Sequence, residues 1–146
     1  MSVVAFVWAA HVVATFCLVG LIWTVQLVHY PTFAYVDADR FVEFEEFHQR
    51  RISWVVATLM VVELLTGMAL LVVRPEYVPL WAGVLGLLLI GVVWLSTFLV
   101  QVPLHGRLAE SFDSDAAAAL VRTNWVRTVV WSLRGLLIVT WLGVAT

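Results

Sequence analysis

Nine polar side chains sit at the ends of apolar runs in this sequence: Gln26 and His29 after the first, Glu45, His48 and Arg51 before the second, Gln101 and His105 after the third, and Asn124 and Arg127 before the fourth. The histidines and the glutamate among them can hold and move protons, and the carboxamides and arginines can donate hydrogen bonds to the charge that results. Neutral imidazole near pH 7 suits a general base, so His48 or His105 is the expected proton acceptor. Arg127, Asn124 and Gln101, assisted by Arg51, are expected to hold the oxyanion that results. Gln26 and His29 complete the polar lining, and Trp54, Trp125 and Trp131 are the expected aromatic walls. Three helical residues turn the chain by about 300°. Gln26 with His29, Glu45 with His48, His48 with Arg51, and Asn124 with Arg127 should therefore share faces.

Metal chemistry is the alternative use of the same residues. Glu45-x-x-His48 is the spacing by which carboxylate-bridged metal sites in helix bundles present two ligands from one helix. Helix four offers Asn124-x-x-Arg127 in place of a second copy, which leaves a mononuclear non-haem set of Glu45, His48, His29 and His105. No histidine pair is evidently opposed, as haem would require. Phosphate loops, a nucleophile elbow and Cys-x-x-Cys are absent from the sequence.

The elements that must position these groups follow from composition. The 146 residues are 63% hydrophobic and 12% charged, too apolar for the interior of so short a soluble chain. A helix needs about 20 apolar residues to cross the hydrocarbon, and four segments qualify. They run near residues 3–28, 52–73, 78–100 and 125–145. The fold class is therefore all-α, an integral membrane four-helix bundle in a single domain. Interfacial helix starts are expected over about 39–51 and 115–124, with Ser114 or Asp115 as the cap of the latter. The first run lacks a basic leader and exceeds a signal peptide in length, so it is read as a retained span.

Arginine supplies every basic side chain, and the first and third connections with their flanks hold Arg40, Arg50, Arg51, Arg107, Arg122 and Arg127 against Arg74 in the second. That bias predicts insertion in the cell (inner) membrane with both termini outside and those two connections cytoplasmic. Trp23, Trp54 and Trp125 should mark one interface and Trp8, Trp81 and Trp141 the other. Gln26 to Pro31 resembles Gln101 to His105, and the entrances of helices two and four also resemble each other, which predicts two parallel hairpin repeats. The bilayer, a hydrophobic small molecule and a second copy of the chain are the partners this permits; at a formal charge of −2, nucleic acid is not one.

Deeper in the bilayer, Glu63 and Arg134 are expected to pair across the bundle and lock helix two to helix four. The alternative is that Glu63 titrates as a relay carboxylate. His11 lies too far along helix one to share a site with His29 and is expected to form an interhelical hydrogen bond. Cys17 is expected to be a buried small hydrophobe, and Ala82, Gly83, Gly86 and Gly91 to allow close helix approach.

Gln101-Val-Pro103-Leu-His105-Gly-Arg107-Leu108, followed by Asn124-Trp-Val-Arg127, resembles the second half of the anthrone-oxygenase-like family of small four-helix membrane proteins. The motif-level resemblance covers residues 101–134. His105 stands where that family commonly has asparagine and Leu120 where it has tryptophan. The resemblance implies His105, Asn124 and Arg127 as site residues, and a reaction in which an aromatic substrate is oxidised by molecular oxygen with no metal or flavin. The sequence thus points to a membrane oxidoreductase acting on an aromatic or quinone-like molecule at the cytoplasmic ends of the helices. A ligand- or metal-binding membrane subunit or scaffold is the competing reading, and a transporter the third.

Overall fold

A computed structural model describes residues 1–142; the last residues of the fourth predicted span lie outside that range. Among the described residues the chain is helical, with α1 (Val3–Thr24), α2 (Phe41–Ala69), α3 (Leu80–Ser96), α4 (Val102–Glu110) and α5 (Ser114–Leu142). α1 runs on through a π turn, Val25–His29, and a 3-10 segment, Tyr30–Tyr35; α3 runs on through a second π turn, Thr97–Gln101, directly into α4. Four continuous helical runs result, each long and apolar enough to cross a membrane: Val3–Tyr35, Phe41–Ala69, Leu80–Glu110 and Ser114–Leu142. α1 packs on α2 and α5, and α3 packs on the same two, so the bundle closes as a ring in the order α1, α2, α3, α5.

The shortest of these runs has 29 residues, about 44 Å at 1.5 Å each, whereas the hydrocarbon takes up about 30 Å. The surplus projects mainly at the end that carries the first and third connections, here termed the polar end. There Tyr30, Phe33, Phe41, Leu108, Ala116 and Leu120 form a core of their own, each no more than 3% exposed. Through the membrane, by contrast, large side chains such as Leu65, Leu88 and Leu136 point outward, as lipid contact requires. Trp23 packs edge-on to Trp125 near the polar end and Trp81 to Trp141 at the other, the two aromatic belts that the sequence predicts.

The third connection is shorter than the sequence suggests. Pro103 does not end helix three: it stands in the first turn of α4, where a missing N–H costs nothing, and helix continues to Glu110. Asp113 caps α5 in place of Ser114 or Asp115, its Oδ1 accepting from the backbone N–H groups of Asp115 and Ala116 at 3.0 Å each. The two hairpins share a device: a π turn followed by proline, Pro31 in one and Pro103 in the other. This sets the register of the repeat by proline, so that His29 rather than Gln26 corresponds to Gln101.

Small residues act selectively. A Cβ on Gly67 would lie 2.8 Å from Ile90 Cδ1, so α2 and α3 come closest there, while Gly91, expected at a close approach, has nothing within 4 Å. Cys17, expected to be buried, is exposed on the outward face of α1. Its apolar surroundings in sequence are lipid-facing neighbours rather than core.

Candidate functional site

Among the described residues two charged assemblies lie within the bundle, and they differ in how completely their charges are matched. The deep one is closed. Glu63 accepts from Thr15 Oγ1 at 2.9 Å, Arg134 Nε at 2.9 Å and Trp131 Nε1 at 3.1 Å. Arg134 is 2% exposed and also reaches His11 Nε2 at 3.1 Å and the Gly86 carbonyl. His11 in turn meets Thr66 Oγ1 at 2.8 Å. The pairing of Glu63 with Arg134 and the interhelical role of His11 are as the sequence predicts. Both carboxylate oxygens of Glu63 are occupied by donors, the arrangement of a helix lock.

The second assembly, at the polar end, is open. The Glu45 carboxylate is fully buried on α2 and its Oε1 lies 2.5 Å from His105 Nδ1 on α4. Gln49, one turn along α2, donates to Glu45 Oε1 at 3.1 Å and to the His105 carbonyl at 2.9 Å. His105 Nε2 faces the Tyr30 hydroxyl at 3.2 Å. A carboxylate on one imidazole nitrogen fixes the proton there and leaves the other nitrogen to accept. Glu45, His105 and Tyr30 therefore form a line along which a proton can pass.

That line ends in a cavity of about 230 Å³ lined by Tyr30, His48, Gln101, His105, Arg127 and Trp131 together with apolar side chains. Arg127 is 6% exposed and stacks over the Trp131 ring at 5.2 Å. It lies beside the Tyr30 hydroxyl. Among the described residues the ion pairs are His105 with Glu45, Arg107 with Asp113, and Arg134 with Glu63, so Arg127 has no carboxylate. Its Nε and the Gln101 carboxamide oxygen are buried without hydrogen-bond partners. Removing a guanidinium from water without a counter-charge costs several kcal/mol, which a bound anion or oxyanion offsets. Arg127 and Gln101 thus line the cavity, and each holds a buried polar atom that no protein group matches.

Of the residues predicted from sequence, His48, His105, Gln101, Arg127 and Trp131 are brought together around this cavity. Others are placed elsewhere. Arg51 is exposed and lies over the Phe47 ring at 5.4 Å, outside the bundle, so His48 and Arg51 do not share a face. Trp54 is 76% exposed on the lipid-facing side of α2, and Trp125 is engaged with Trp23 rather than with the cavity. Asn124 and Gln26 are buried and bonded together: Asn124 Nδ2 donates to Gln26 Oε1 at 2.9 Å, and Gln26 Nε2 to the Val121 carbonyl at 3.2 Å, while Asn124 Oδ1 has no partner. They tie α1 to α5, and neither lines the cavity.

The mononuclear metal set is also not assembled. No three metal-ligating side chains converge among the described residues. Glu45 Oε1 is taken by His105 and Gln49 while its Oε2 has no partner, and His29 lies stacked on His48 with ring centroids 4.0 Å apart. Face-to-face imidazoles point their in-plane lone pairs side by side, not toward one ion. Tyr30 and Gln49 are the functional candidates that the sequence reading does not nominate. The signal available for Tyr30 was a phenol next to Pro31 in the same layer as three histidines.

Compared with known proteins, the chain matches no family model, no curated protein and no solved structure.

Proposed function

We propose that this integral membrane protein is an enzyme that moves a proton at an ionisable oxygen of a hydrophobic aromatic or quinone-like molecule, as an oxidoreductase. The observation that carries this reading is the Glu45–His105–Tyr30 line running into a cavity beside the unpaired Arg127. A substrate hydroxyl placed at Arg127 gives its proton to the Tyr30 oxygen while the Tyr30 proton passes to His105 Nε2. The imidazolium formed is held by Glu45, and the substrate oxyanion by Arg127. A deprotonated hydroquinone then gives two electrons and its second proton to molecular oxygen, which takes the proton held on His105 as well and leaves as hydrogen peroxide while the quinone forms; oxidation by oxygen is in line with the resemblance of residues 101–134 to the anthrone-oxygenase-like family. The arginine distribution supports a cytoplasmic location for the polar end.

Oxygen uptake by the protein in proteoliposomes, with hydroxyarenes as substrates, tests the proposal. Tyr30→Phe should lower the rate by about 10²–10⁴-fold while melting temperature stays near that of the parent; His105→Gln should lower the rate comparably and the melting temperature as well, because the buried Glu45 carboxylate loses its imidazole partner. Unchanged rates in both variants would sink the catalytic reading. Ligand binding that survives those two substitutions and is lost in Arg127→Gln, with no turnover in the parent, would favour the binding-subunit reading that the same cavity supports.

A further inference from the structure

The cavity has walls of two kinds. At the polar end it is sealed: Phe41, Leu108 and Leu120 are fully buried beneath it, and Gln49 and Glu45 of α2 grip His105 of α4. No comparable seal exists along its side. Ser53, Ala57 and Val61 of α2 line the cavity, as do Phe98 and Val102 from the second π turn and the start of α4. All five are also exposed on the outer surface, Val61 at 43%, Phe98 at 55% and Val102 at 51%. Residues can face a cavity and the outside together only where the wall between them is open.

The geometry of the helices gives the cause. α2 and α3 touch tightly at Gly67 and Ile90, and α2 meets α4 again through Gln49 and His105. Between these two contacts the helices stand apart. Ser53 and Val61 lie eight residue steps apart, about 12 Å of helix, which compares with about 15 Å for one hydrocarbon leaflet. The stretch lies inside the apolar spans and not in a connection, so the opening faces the bilayer that those spans imply.

We infer that the substrate is a lipid-borne amphiphile, a hydroxyarene carrying an aliphatic tail, which enters sideways from the bilayer between α2 and α3 and leaves its tail in that opening. This rests on the proposed reading of the polar head site and adds the route and the tail. An apolar cavity of about 150 Å³ admits benzene; 230 Å³ admits a one- or two-ring head but not a long chain as well. The head reaches Arg127 and Tyr30 while the tail passes Ala57 and Phe98 into lipid.

A hydroquinone bearing a decyl chain with a diazirine on the chain tests this by photolabelling of the full-length protein in nanodiscs, with 2-methylhydroquinone as competitor. Label should map to Val61, Phe98 and Val102, be displaced by the competitor, and fall about tenfold in Ala57→Trp or Val61→Trp, which fill the opening from positions that face lipid. Label displaced by the competitor but found on other faces, or indifferent to both tryptophans, leaves the head site standing and overturns the lateral route. Label that the competitor does not displace, and that Arg127→Gln does not reduce, overturns the head site and the route together.

Discussion

Arg127 and Arg134 are two buried arginines seven residues apart on α5, and replacing each by methionine should have opposite effects on stability. Arg134→Met removes the counter-charge of Glu63, whose carboxylate is 1% exposed, and deletes the bonds to His11 and Gly86. Interhelical hydrogen bonds inside membrane proteins average about 0.6 kcal/mol each, so the loss of these two alone would amount to about 1–2 kcal/mol. Stranding a buried carboxylate raises the expected cost to about 3–5 kcal/mol. Arg127→Met strands no carboxylate, because none is paired with its guanidinium; the polar contact it gives up is with the Tyr30 hydroxyl, which keeps His105 as a partner. It removes an unmatched charge and sacrifices one stacking contact over Trp131, about 0.5–2 kcal/mol. The balance should be neutral or stabilising. Unfolding of the two variants in mixed micelles, titrated with a denaturing detergent and followed by circular dichroism, measures both. If Arg127→Met destabilises the protein as much as Arg134→Met, Arg127 is held by the fold and the argument for an anion at this position fails.

Two other outcomes follow from the same geometry. Gly67→Ala should destabilise by about 1–3 kcal/mol through overpacking, since the new Cβ meets Ile90, which is fully buried; Gly91→Ala, with open space around it, should be neutral or stabilising by up to about 1 kcal/mol. Thermal melts that rank the two the other way would contradict the closeness of α2 and α3 at that point. Asp113 is held below the usual carboxylate range by the backbone N–H of Ala116 and by Arg107. Its contribution is therefore present above the ordinary carboxylate pKa and is lost as pH falls through its lowered value. Asp113→Asn should melt below the parent at neutral pH, with the difference closing in acid; a gap that persists at low pH would show that the cap does not depend on charge.

The polar end was legible as a layer but not as a network. Helical periodicity placed Glu45 and His48 on one face, and both are buried there. It placed Gln26 with His29 on another, and this pair separates. The π turn at Val25–His29 is wider than an α turn and rotates each residue less, so Gln26 reaches α5 while His29 reaches His48 on α2. Arg51 and Trp54 failed for a simpler reason. Each lies a fraction of a turn beyond the buried stripe, and near the membrane surface an arginine or tryptophan is as stable outside as in. Tyr30 went unnominated because a phenol in a loop-like stretch before proline has no chemical signature until an imidazole stands opposite it.

Composition alone fixed the membrane, the number of crossings and the layer that holds the histidines, because the cost of exposing backbone and charge to hydrocarbon depends on residue type and run length and on nothing more distant. It also predicted that Glu63 needs Arg134, since a lone charge at that depth is untenable. Which arginine remained free was decided only by the packing of the helices. Glu45 could have met Arg127, but α4 carries His105 to it first, and the two carboxylates of the bundle interior are both engaged elsewhere. Sequence supplied two buried cations; tertiary structure matched one with a carboxylate and left the other lining the cavity.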